Sequence, residues 1–191
     1  MLNKILAIAL ASSLVTPVFA ADSPFYVGGQ ISNTTLKESA AGFSDDFDFT
    51  VLSAIAGYQF TPFFATELRL GKGVSGESFQ DIGYSEKLDV SQQTAVLMKG
   101  SVPITDVFSL YGVAGYAASK FTYKERDGDF YYSDSETVDG LTWGVGAGVK
   151  FTQNLSATVE YLQMPSEKFN DDGFGYKLKS HNLSLGVIYQ F

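Results

Sequence analysis

From residue 25 onward the chain repeatedly alternates apolar with small or polar residues, and each run stops at a cluster of turn formers. Near residues 141–151, Leu141, Trp143, Val145, Ala147, Val149 and Phe151 share one face, and Thr142, Gly144, Gly146, Gly148 and Lys150 share the other. A period of two is that of a β-strand, whereas a helix would bring together residues three and four apart. The next run sorts Leu155, Ala157, Val159 and Tyr161 against Ser156, Thr158 and Glu160. The last sorts Leu183, Leu185, Val187, Tyr189 and Phe191 against Ser184, Gly186 and Gln190, and a run near residue 64 separates Phe64, Leu68 and Leu70 from Glu67 and Arg69. Together the runs predict eight strands, near residues 25–35, 50–60, 63–72, 88–103, 107–123, 138–151, 155–164 and 177–191. The fifth is apolar on both faces from Phe108 to Ala118, so the pattern does not orient it.

Three connections are tight, at residues 60–63, 104–107 and 151–155, and they alternate with longer polar links near 34–49, 73–87, 124–137 and 165–176. Alternation alone does not say which face points outward, but the charges sit on the small-residue face. An apolar outside around a polar inside is the reverse of a soluble barrel. With short turns at one end and long loops at the other, it predicts an all-β protein, an eight-stranded antiparallel up-and-down transmembrane β-barrel. Phe60, Phe63, Phe64, Phe108, Phe151, Tyr189 and Phe191 cluster at the short-turn end, where an interfacial girdle belongs.

The first twenty residues fit a secretory leader: a basic start through Lys4, an apolar stretch from Ile5 to Val15, and Val18-Phe19-Ala20 as the cleavage site. That stretch is too short to cross roughly 30 Å of hydrocarbon. We therefore expect a signal peptide at 1–20 and one domain at 21–191. The 191-residue chain has no cysteine, which excludes thiol catalysis, thiolate metal sites and a disulfide scaffold. Its net charge of −8 argues against nucleic acid as a partner.

With these strands, turns and loops and its terminal Gly186-x-x-Tyr189-x-Phe191, the mature chain resembles the small OmpA/OmpX-like outer-membrane β-barrel family. Ser184 to Phe191 looks like the signal read by the barrel-assembly machinery. The resemblance therefore implies an assembly role for Gly186, Tyr189 and Phe191, and periplasmic chaperones as transient partners. The chain stops at Phe191 without the periplasmic domain of OmpA, which favours the barrel-only, OmpX-like members. Members of the family include adhesion and complement-resistance proteins, so the resemblance implies a monomeric surface-interaction or envelope-integrity protein in the bacterial outer membrane.

Glu67, Arg69, Lys99, Lys150 and Glu160 are the expected barrel-interior charges. An eight-stranded barrel is filled by its own side chains, so these groups should pair to offset their desolvation; a narrow ion-conducting channel controlled by such pairs is the alternative. Basic residues crowd the long links, and Lys120, Lys124, Lys177 and Lys179 are candidate contacts to lipopolysaccharide phosphates. The acidic runs Asp45-Asp46-Phe47-Asp48 and Asp127-Gly128-Asp129 do not fit a calcium loop. The aromatics beside them, Phe49 and Phe130-Tyr131-Tyr132, are candidate contacts for a host or other surface ligand. A lipid A-modifying barrel enzyme would need a base and a nucleophile. His181 is the sole histidine, and Ser184 lies an odd number of positions away, hence on the opposite strand face. No cofactor motif or metal-ligand spacing stands out.

Overall fold

The computed structural model describes residues 23–40, 43–81, 84–127, 130–171 and 174–191; the expected leader at 1–20 lies outside the described residues. The strands are β1 (Phe25–Ala40), β2 (Phe43–Thr61), β3 (Phe64–Ser75), β4 (Glu77–Asp81), β5 (Tyr84–Pro103), β6 (Phe108–Asp127), β7 (Phe130–Lys150), β8 (Leu155–Asp171) and β9 (Phe174–Gln190). Neighbours pair antiparallel in the order β3-β2-β1-β9-β8-β7-β6-β5-β4, and a β3–β5 pairing closes the sheet on itself. β3 and β4 both pair with β5 and flank Gly76, so they are two segments of one barrel strand and the barrel is eight-stranded. A side chain at Gly76 would run into the Leu88 carbonyl and Asp89, which accounts for a glycine at the break.

The expected long loops are largely strand. β1 and β2 stay in register from Phe25↔Tyr58 to Ala40↔Phe43, through the segment expected to be a loop at 34–49. β6 and β7 do the same up to Asp127↔Phe130. Beyond the membrane the regular apolar alternation weakens, but Thr, Phe and Tyr at these positions suit strands, and backbone pairing continues with cross-strand contacts such as Lys37 Nζ to Asp46 Oδ2 at 2.7 Å.

The pairing is not continuous around this outer part. β7 meets β8 only from Trp143↔Gln163 to Lys150↔Ser156, although β7 begins at Phe130 and β8 runs to Asp171. β2 leaves β3 after Thr50↔Ser75. The barrel thus divides outside the membrane into two four-stranded sheets, β2-β1-β9-β8 and β4-β5-β6-β7. At the β7/β8 seam, Gly140 has a φ of 151°, a conformation that favours glycine, and faces Pro165, which has no N–H to offer a ladder. The β8–β9 register also shifts here, between Gln163 and Ser166.

The outward face is apolar where lipid would cover it. Leu141, Trp143, Val145, Leu183, Leu185 and Val187 are all more than half exposed, as are Val96, Met98 and Val102 on the other side of the barrel. In water so continuous an apolar belt would be an aggregation surface; in hydrocarbon it is the solvated one. Phe60, Phe63, Phe64 and Phe151 project at the short-turn end, with Tyr189 packed edge-on against Phe191 at 5.4 Å.

Candidate functional site: a layered lumen beneath two sorted sheets

The interior is built in layers. Nearest the short turns, Tyr26, Ile55 and Ala65 pack with Ile188. Above them lies the charge cluster. Glu67 and Arg69 stand two apart on β3, hence on the same inward face, and Glu160 stands on β8, half the circumference away in the strand order. Arg69 donates from Nη1 to Glu160 Oε1 at 2.5 Å and from Nη2 to Glu160 Oε2 at 2.9 Å. It also donates from Nε and Nη2 to Glu67 Oε2, at 2.8 and 2.5 Å. Lys99 Nζ completes the set 3.1 Å from Glu67 Oε1 and lies 4.1 Å from the centre of the Tyr111 ring. The Tyr26 hydroxyl donates to Glu67 at 2.9 Å. Two carboxylates and two cations are therefore neutral as a group, and the guanidinium is a strut across the lumen.

Higher up, Asn182 on β9 donates through Nδ2 to Gln93 Oε1 on β5 at 2.8 Å, a second bridge between opposite walls. Gln93 Nε2 reaches Ser119 at 3.2 Å, and the hydroxyls of Ser32 and Ser184 bond at 2.8 Å. Beyond this polar layer comes an apolar plug of Leu36, Phe49, Val51, Val90, Phe121 and Val138, with Phe47 and Leu88 packed against it. Phe49 is 1% exposed and its ring centre lies 6.0 Å from that of Phe121. Guanidinium strut, amide bridge and plug close the lumen one after another. A cavity of about 460 Å³ opens at the short-turn mouth and reaches in to Lys99, Tyr26 and Tyr111.

Four of the five expected interior charges, Glu67, Arg69, Lys99 and Glu160, come together as one cluster. Lys150 does not. Its parity is inward, but it is the last residue of β7 and lies exposed at the mouth, where water can solvate it. Phe49, expected to face a surface ligand, is instead a plug residue, because its odd position on β2 points inward beside Val51. The fifth expected strand, β6, takes its orientation from packing: Tyr111, Val113 and Ala117 face in against Leu97, Leu162 and Met164, leaving Leu110 and Tyr116 outside.

Outside the membrane the described cations share one face. Lys37, Lys72, Lys87, Lys120, Lys124, Arg126 and Lys179 are all exposed and all occupy outward positions of their strands. The backbone of Lys177 pairs with Ser39 and Lys168; its side chain lies outside the described residues. The inward positions of the β4-β5-β6-β7 sheet carry Glu86 and Glu125 as cross-strand partners, Tyr84 opposite Asp127, and Phe130, Tyr132, Asp134 and Glu136 on β7. Glu86 accepts hydrogen bonds from Tyr84 and, at 2.8 Å, from Tyr123. These bonds, that of Tyr84 foremost, hold its carboxyl below the usual range, while accepting Glu86 as a partner pushes the Tyr123 hydroxyl up to about 12. His181 packs against Tyr161 on the outer face, at 5.4 Å between ring centres, and Ser184 is buried inside. Gly186 faces the lumen beside Thr158 and Gln30, whereas Tyr189 faces out.

A closed up-and-down barrel with an apolar belt, an aromatic rim and a neutralised interior is an integral outer-membrane protein. The chain belongs to the outer membrane protein beta-barrel domain family, which residues 6–191 match. It is similar to the virulence membrane protein PagC of Salmonella typhimurium, 30% identical over 106 residues, which are 51% of this chain and 57% of that relative. The chain thus spans little more than half the length of PagC. In fold it is similar to Neisserial surface protein A, with a TM-score of 0.56 and 19% identity, covering 88% of this chain and 98% of that one. It is likewise similar to Ail, the attachment invasion locus protein of Yersinia pestis solved with the heparin analogue sucrose octasulfate, with a TM-score of 0.54 and 16% identity over 86% of this chain and 99% of Ail.

Proposed function

We propose that this protein is a non-enzymatic surface-interaction barrel, held among lipopolysaccharide phosphates by its outward cations and presenting two β-sheets to ligands outside the cell. The sorting of the cations carries this reading. Lys120 and Lys124 on β6 and Lys179 on β9 lie on outward faces beyond the apolar belt, and such positions would meet the outer-leaflet headgroups. Charge-assisted contacts to phosphate would use them there, and Lys177 has the same parity on β9 as Lys179. A sulfated polymer would meet the same face, and the heparin analogue bound to Ail is a precedent for a polyanion on a barrel of this fold. The three closures of the lumen support a sealed barrel over an ion channel. The opposite facing of His181 and Ser184 supports the non-enzymatic reading over lipid A chemistry. The C-terminal strand, with Gly186, Tyr189 and Phe191, would serve as the assembly signal.

The test is lipopolysaccharide retention. Protein purified from outer membranes with Lys120, Lys124, Lys177 and Lys179 all changed to Gln should carry less than half the lipopolysaccharide of the unaltered chain, with the heat-dependent gel mobility of a folded barrel intact. Equal retention would refute the proposed contact.

A further inference from the structure

Beyond the plug, where β7 has parted from β8 and β2 from β3, the inward side chains of β7 at Phe130, Tyr132, Asp134 and Glu136 are exposed. This inward face of the β4-β5-β6-β7 sheet is neither lipid-facing nor plug. Phe130 and Tyr132 nevertheless present aromatic surface there, 64% and 47% exposed, and Tyr84 and Tyr123 lie on the same face, both bonded to Glu86. Beyond the plug the face is also of one sign: Lys87 of β5 and Lys120, Lys124 and Arg126 of β6 all point the other way.

From this we infer that the face is a docking surface for a cationic polypeptide segment, rich in arginine or lysine and bound in extended form. The inference rests on the reading of the outer sheets as the interacting part of the protein. Charge complementarity selects the occupant. Acids at alternate positions of a strand recur about every 7 Å, as do alternate side chains of an extended peptide, so Asp134 and Glu136 could each meet one cation while Glu86 and Glu125 meet others across the sheet. Aromatic rings beside carboxylates add cation–π attraction for guanidinium groups. A metal ion is the poorer occupant, because no group of three or more acidic or histidine side chains among the described residues is close enough to hold one.

The full chain in phosphatidylcholine nanodiscs without lipopolysaccharide should bind a fluorescein-labelled ten-residue peptide of alternating Arg and Ser saturably, and its Glu-Ser counterpart not at all. Because no lipopolysaccharide is present, the result is independent of the retention test above. Glu86→Gln, Glu125→Gln and Glu136→Gln together should weaken binding at least tenfold, whereas the equal charge change Asp46→Asn, Asp48→Asn and Asp139→Asn on the outward face should alter it less than twofold. Phe130→Ser with Tyr132→Ser, at the exposed hairpin tip where folding is not at stake, should weaken binding at least threefold. Absence of saturable binding, equal losses from the inward and outward triples, no loss in the aromatic pair, or full displacement by calcium at constant ionic strength would each overturn the proposal.

Discussion

Replacing Arg69 with Met keeps length and apolar bulk at the centre of the barrel and removes the cation. Four hydrogen bonds of 2.5 to 2.9 Å to two carboxylates disappear with it. Glu67 keeps Lys99 at 3.1 Å and the Tyr26 hydroxyl at 2.9 Å. Glu160, whose side chain is 3% exposed, loses its cation. Stranding one buried charge by removing its partner costs about 3–5 kcal/mol, so a loss of about 4 kcal/mol is expected, nearly a thousandfold in the folding equilibrium. Trp143 provides the assay. It is the chain's one tryptophan and is 57% exposed on the lipid face, so its emission should shift as it passes from lipid to water during urea unfolding in phosphatidylcholine vesicles. The double variant Arg69→Met/Glu160→Gln leaves a neutral Glu67–Lys99 pair and should regain at least half of the loss. A single variant within about 1 kcal/mol of the unaltered chain, where ordinary surface changes lie, would refute the strut. So would a double variant less stable than the single one.

The packing also sets the response to substitution at the plug and at two glycines, and the conductance. Phe49→Ala empties the centre of the plug and should cost about 3–5 kcal/mol in the same unfolding assay. In planar bilayers both this variant and the unaltered chain should lack discrete conductance, since the strut still crosses the lumen; steady channel events from the unaltered chain would contradict a closed barrel. At Gly146 a side chain would collide with the Tyr111 ring, so Gly146→Val should destabilise by about 1–3 kcal/mol. Gly112→Ala, whose new methyl points outward with its nearest neighbour 3.8 Å away, should stay within about 0.5 kcal/mol in the same assay.

Strands whose two faces differ in kind were legible in the sequence, and those whose faces match were not. β7, β8 and β9 alternate apolar with small or polar residues, so their pairing and facing follow from parity. β6 puts Tyr111, Val113 and Ala117 inside and Leu110 and Tyr116 outside, and nothing in that composition separates a lumen packed on Leu97 from one facing lipid. Glu67, Arg69 and Glu160 stood out as inward charges, but that one guanidinium reaches both carboxylates depends on which strands oppose each other across a closed barrel. Lys150 had the right parity at the wrong depth, since alternation reports facing and not height. The plug was hidden because Phe49 follows an acidic run, and polarity there suggested a loop. Continued parity was the available signal: Leu36, Phe47, Phe49 and Val51 all hold inward positions of β1 and β2.

The strut also bears on the order in which the barrel can be put together. Glu67 and Arg69 neutralise each other within β3, but β5 then brings Lys99, and its balancing charge, Glu160, arrives only with β8. Until that strand is in place, a growing sheet holds one surplus positive charge on its inner wall, and committing it to hydrocarbon is costly. Lipid entry is thereby favoured only for a chain that has already brought its first and second halves together, which makes insertion close to a single step and leaves truncated chains outside the bilayer.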